Sequence, residues 1–158
     1  FYPVHQNVIW TLLLGLLGIR LMEAARAKGK RWLYVLTCAA VVVLGFALGT
    51  LGMVDYYGAG VLTVFAFYFF RERKWWCLLG QLAALYWLNV VVLGGQMYPV
   101  TLFGREIELC EQGLALLALV PIWLYRGRQG HHSKAFQYAC YAFYPAHMLV
   151  LALLTMIQ

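Results

Sequence analysis

Long apolar runs, cut apart by short clusters of charge, constrain this chain more than any other feature. Six runs result: span A from Val4 to Met22, B from Trp32 to Val54, C from Tyr56 to Phe70, D from Trp75 to Gly94, E from Glu108 to Tyr125 and F from Ala135 to Gln158. A bilayer core about 30 Å thick takes about 20 apolar residues of helix. Each run is too long for a soluble strand and lacks strand alternation. With 64% hydrophobic and 11% charged residues, the chain cannot cover a soluble globule with polar surface, and it is too apolar for disorder. The expected fold is all-α: a polytopic membrane helical bundle of about six transmembrane helices, in a single domain over residues 1–158. Span C, at 15 residues, reaches only about 22 Å, so it is a short crossing, a tilted one in thinned bilayer, or a re-entrant segment.

The charges then set an orientation. Arg20, Arg26, Lys28, Lys30 and Arg31 lie at or between A and B, Arg71, Arg73 and Lys74 between C and D, and Arg126, Arg128 and Lys134 between E and F. That places 11 of the 12 basic residues on one side, with Arg105 alone on the other. The positive-inside rule makes these three loops cytoplasmic. The alternation favours C as a true crossing, since a re-entrant C would split the basic loops between the two faces. The net charge of +6 is thus topogenic and attracted to anionic lipid, or part of it binds an anionic cytoplasmic ligand. Nucleic acid is not an expected partner, and no Walker or dinucleotide glycine pattern occurs.

Cys38, Cys77, Cys110 and Cys140 are dispersed, and the adjacent His131 and His132 fall in a loop, so no metal site is expected. Intramembrane polar residues are more informative, because each needs a partner or a cavity. In span F, Gln137, Cys140, Tyr144 and His147 follow at helical spacing on one face, and Pro145 frees a backbone carbonyl near Tyr141. His147 is either a histidine hydrogen-bonded within the bundle or a general acid or base. Span E opens with Glu108, then Glu111 and Gln112 on the same helical face. Glu108 suits the helix dipole; Glu111, a turn deeper, has a pairing or a catalytic role. By depth alone, His5, Asn7, Asn89, Glu111, Tyr144 and His147 all fall in the outer halves of their spans. If their faces converge, they make a polar cavity open outward.

Span F reads Phe143-Tyr144-Pro145-Ala146-His147-Met148, which resembles the Phe-Tyr-Pro-x-His-Leu core in the final helix of the TraX family. The opening His5-Gln6-Asn7-Val8 with its leucine-rich continuation, and Leu124-Tyr125-Arg126-Gly127-Arg128, resemble further segments of that family. The resemblance implies an integral protein of the bacterial cytoplasmic membrane. It also implies an acyltransferase that moves acetyl from acetyl-CoA to an amine or hydroxyl, such as a pilin N-terminus or another envelope acceptor. The phosphates of acetyl-CoA would then meet the basic loops, at Arg73, Arg126, Arg128 and Lys134. His147 would deprotonate the acceptor, with Tyr144 and Asn89 orienting it or stabilising the oxyanion, and Glu111 and His5 nearby. One departure stands out: the family's first helices usually carry an Asp-His pair, which is missing here. The chain starts at Phe1 with no signal-peptide pattern. The expectation is therefore the C-terminal part of a longer TraX-like protein. The rival reading is a non-catalytic membrane component, either a small-solute transporter or a conjugation or envelope assembly partner.

Overall fold

The computed structural model describes residues 7–102, 105–125, 127 and 133–157. The chain divides into two compact units, Phe1–Trp123 and Leu124–Gln158.

In the first unit, α1 (Val8–Ala27) and α2 (Arg31–Leu51) are each about 30 Å long at 1.5 Å per residue, the depth of a bilayer core. The Asn7 side chain caps α1 by accepting from the Ile9 N–H at 3.2 Å. A short α3 (Tyr57–Phe69) packs against both helices. Next comes α4 (Trp75–Tyr86), which continues into a π-helical turn, Trp87–Val92. Together these last two form an apolar stretch of 18 residues.

The contact between α1, α2 and α3 follows from small residues at helical spacing. Thr11, Gly15, Gly18, Met22 and Ala25 form the buried stripe of α1, and Val41, Gly45 and Gly49 that of α2. Lipid tails are as apolar as leucine, so helices in a membrane associate through close packing, which small residues allow. The Phe65 ring of α3 fills the space these glycines leave: a Cβ on Gly18 or Gly45 would come within 2.6 or 2.7 Å of it. At Gly49 the neighbour is backbone, with the Gly58 Cα only 2.9 Å from where a Cβ would stand. Large apolar side chains point the other way: Leu16 is 63%, Val43 65% and Leu51 81% exposed. An apolar exterior around a small-residue interior is that of a bundle solvated by lipid.

After α4 the expectations need correction. β1 (Met97–Leu102) and β2 (Arg105–Cys110) pair as an antiparallel hairpin, with Pro99 opposite Glu108 and Val100 opposite Ile107. Among the described residues the fold is therefore helical with one hairpin rather than all-α, and Glu108 belongs to a strand, not to a helix N-terminus. The alternation of Glu106, Ile107, Glu108 and Leu109 is a period-two signal inside the run taken for the approach to span E. The chain then makes a 3-10 segment, Glu111–Ala118, before α5 (Leu119–Leu124). Among the described residues, three helices are long and apolar enough to cross a membrane: Val8–Ala27, Arg31–Leu51 and Trp75–Val92. Tyr57–Phe69 and Glu111–Leu124 are apolar but shorter.

The second unit contains α6 (Lys134–Ile157). The Ser133 hydroxyl accepts from the Phe136 N–H at 3.1 Å and starts the helix. Pro145 lies inside α6, where it has no N–H to offer the carbonyl of Tyr141.

Candidate functional site

A cavity of about 340 Å³ lies within the first unit, lined by α1, α3, the π-helical turn and the 3-10 segment. Its polar side chains are Thr11, Thr63, Asn89 and Gln112, together with Tyr56 at the turn into α3; the remaining lining is apolar.

Asn89 sits in the π-helical turn and is only 8% exposed. Such turns widen the backbone ladder, and here the Leu93 N–H reaches back to the Leu88 carbonyl at 3.0 Å. The Asn89 amide nitrogen donates to the Leu85 carbonyl at 2.9 Å. A carbonyl can only accept, so this contact fixes which end of the amide is the nitrogen. Thr11 is buried, and its hydroxyl donates at 2.9 Å to the Asp55 carbonyl in the turn between α2 and α3. The Thr63 hydroxyl donates to the Ala59 carbonyl one turn back, at 2.9 Å.

The hairpin brings the last polar group in. Gly94 and Gly95 adopt φ of 67° and 122°, turning the chain out of the helix in a conformation that suits glycine. The hairpin then returns the chain beside them, where the Glu111 N–H donates to the Gln96 carbonyl at 3.1 Å and the Cys110 thiol to the Gly94 carbonyl at 3.4 Å. Gln112 is thereby held against Gly95 and half-buried at the cavity, while Glu111 is exposed.

A second polar cluster ties the basic end of the bundle. Glu23, on the last turns of α1, accepts from the Tyr68 hydroxyl of α3 at 2.7 Å and lies 3.3 Å from Arg71 and 3.7 Å from Arg26. Arg71 also stands over the Tyr68 ring, 5.1 Å from its centre. In the turn that follows, Lys74 pairs with Glu72. Hydrogen bonding to the Lys74 ammonium holds the Glu72 carboxyl below its ordinary range, and the same contact raises Lys74. Gln81 is buried in α4 as a bridge: its amide nitrogen donates to the Phe70 carbonyl at 2.8 Å, and its oxygen accepts from the Trp123 indole at 2.7 Å.

Of the residues expected from sequence, Asn89 is, among the described ones, the one that lines the cavity. Glu111, next in the chain to the lining residue Gln112, is exposed. In the second unit, His147 is half-buried and stacks on Phe143, one turn earlier, with ring centres 5.4 Å apart and planes 10° from parallel. Tyr144 lies on the same helix, and its side chain lies outside the described residues. Gln137 donates to the Tyr141 hydroxyl at 2.9 Å. Arg73 and Lys134 are exposed. His5, Arg126 and Arg128 lie outside the described residues. Sequence reasoning missed Thr11, Thr63 and Gln112 as cavity residues, and Glu23 with Tyr68 as a link between helices. A glutamate on an apolar helix was the available signal for the last pair. No group of ligands suited to a metal ion occurs among the described residues.

Membrane-length helices with an apolar exterior, packed through small residues around a sparsely polar cavity, define a helical integral membrane protein. The chain matches the family described as TraX protein over residues 1–155, nearly its whole length. It belongs to the TraX family. No curated protein and no solved structure gives a match to it.

Proposed function

We propose that this TraX-family protein is a membrane acyltransferase connected with conjugation, moving acetyl from acetyl-CoA to an amine or hydroxyl such as a pilin N-terminus. The observation that carries this reading is a buried, hydrogen-bonding asparagine on a π-helical turn at a cavity inside a lipid-facing bundle, a place where polar groups are costly and mark function.

In this reading the chain crosses the bacterial cytoplasmic membrane six times, with its basic loops inside. Of the shorter segments, Tyr57–Phe69 reaches only about 20 Å and crosses where the bilayer thins. Glu111–Leu124 combines eight residues of 3-10 helix with six of α-helix, which gives roughly 25 Å at about 2.0 and 1.5 Å of rise. The phosphates of acetyl-CoA meet Arg73, Arg126, Arg128 and Lys134 on the cytoplasmic side. The acceptor's nitrogen or oxygen attacks the thioester carbonyl, so that a C–N or C–O bond forms and the C–S bond breaks. His147 takes the acceptor's proton and returns it to the departing thiolate. Asn89, Tyr144, Glu111 and His5 are each candidates for orienting the acceptor or stabilising the oxyanion.

The test is acetyl transfer by the purified full-length protein in lipid nanodiscs, with labelled acetyl-CoA and a pilin N-terminal peptide. Replacing His147 by Ala is expected to lower turnover by about 100-fold or more. Unchanged turnover removes His147 from the reaction. Absence of transfer to any amine or hydroxyl acceptor, together with solute uptake into proteoliposomes, supports the non-catalytic reading instead.

A further inference from the structure

The chemistry left open in the cavity is one-sided. Among the described residues, no Asp, Glu, Lys, Arg or His lines it. A charged group entering there would leave water for an apolar wall with no counter-ion, at a cost that excludes it. The hydroxyl hydrogens of Thr11 and Thr63 are already committed to backbone carbonyls. What these two groups still offer is oxygen lone pairs. At Asn89 one N–H is committed to the Leu85 carbonyl, and no donor among the described residues reaches its Oδ1. Asn89 lines the cavity, so a donor brought by an occupant is a partner available to this oxygen. The volume of about 340 Å³ falls at the small end of the range for small-molecule sites, about 300–1,000 Å³.

We infer that this cavity binds an uncharged, mainly aliphatic molecule whose polar head donates a hydrogen bond, an alcohol or a neutral N–H compound, to Asn89 Oδ1. The threonine oxygens and the Gln112 amide serve as secondary partners. Occupancy by a donor also explains why the asparagine is tolerated there, since the donor satisfies an oxygen that lipid tails cannot. The assignment deepens the proposed transferase: of its amine and hydroxyl acceptors the cavity takes the uncharged forms, an alcohol or a deprotonated amine. Its role rests on that reading, whereas its binding does not.

The experiment measures binding alone. The full-length protein in nanodiscs is photolabelled with an eight-carbon alcohol carrying a diazirine, and labelled peptides are mapped by mass spectrometry. Competitors are 1-octanol, octyl methyl ether, which accepts but cannot donate, and octanoate, which is charged. The label is expected on peptides carrying Thr63 and Ala115. Octanol is expected to displace it at about tenfold lower concentration than the ether, the worth of one buried hydrogen bond, and octanoate is expected not to displace it. Replacing Ala115 by Trp fills the cavity and abolishes displaceable labelling, and Asn89→Leu removes the preference for octanol over the ether. Should Asn89→Leu fail to fold, the comparison of octanol with its ether in the unmodified protein decides the matter. Equal displacement by octanol and ether, displacement by octanoate, or labelling unchanged in Ala115→Trp overturns the inference. Selective octanol binding in a protein with no acetyl transfer overturns the transferase reading alone. Acetyl transfer without selective octanol binding overturns this inference alone.

Discussion

Replacing Gly49 with Ala tests whether close backbone packing holds α2 against α3. The new Cβ would lie 2.9 Å from the Gly58 Cα and 3.0 Å from the Tyr57 carbonyl oxygen. These two neighbours are backbone and cannot swing aside, whatever the Val61 methyl, also 3.0 Å away, does. Carbon pairs sit best at about 3.5–4.0 Å, so the helices must part locally by roughly 0.6 Å. A gap of that size forfeits a quarter to a half of the dispersion attraction across each affected contact. In a membrane that packing is a main driving force between helices. The expected loss is about 1–3 kcal/mol, the usual cost of one methylene too many in a packed core. Gly113→Ala is the control, because its nearest neighbours would stand 3.7 Å away, at ordinary contact distance. Reversible unfolding in mixed micelles of lipid and sodium dodecyl sulfate, followed by tryptophan fluorescence, reads both variants. The reasoning is refuted if Gly49→Ala is as stable as the parent protein, or if Gly113→Ala loses as much.

Gln81→Leu removes both bonds of the bridge between Phe70 and Trp123 and is expected to cost about 1–3 kcal/mol in the same unfolding assay, with a shift in indole emission. In a titration followed by NMR, Glu72 should ionise below the ordinary glutamate value of about 4.3, and Lys74→Met should bring it back up. Because that carboxyl ionises more readily in the folded protein, its contribution is present above the unfolded value and is lost as pH falls through the folded one. Cysteines introduced at Lys28 and at Glu106 should react with an impermeant thiol reagent from opposite sides of intact cells, and reaction from the same side refutes the proposed orientation.

Charge clusters in an apolar chain read out α2 to α4 well, while α1, expected to end at Met22, runs on to Ala27. Span C, expected from Tyr56 to Phe70, is α3 at Tyr57–Phe69, and span D, expected from Trp75, is α4 with its π-helical extension to Val92. Helix ends are cheap to read there because a basic residue cannot be drawn into lipid. The hairpin was hidden by the same reasoning. Glu108, Glu111 and Gln112 satisfy helical spacing, while Glu106 to Leu109 satisfy strand spacing, and a strand at the bundle's edge needs no membrane-length run. Once Cys110 closes the strand, the register of the 3-10 segment turns Gln112 rather than Glu111 to the cavity. Depth along a helix gives height in the membrane and nothing about rotation around the helix axis. Asn89 was therefore legible as a deep polar residue, but its companions Thr11 and Thr63 were not. The glycines at 15, 18, 45 and 49 carried a legible packing signal in their spacing of three and four.

If the cavity around Asn89 serves acetyl transfer, filling it must stop the reaction. The most direct test is the initial rate of transfer from acetyl-CoA by the full-length protein and by its Ala115→Trp variant, in nanodiscs and at matched folded concentration. Filling the cavity is expected to cut the rate by at least about 100-fold while cooperative unfolding stays intact, because the loss of a positioned reactant costs that much. Transfer at the parent rate with the cavity filled contradicts the claim.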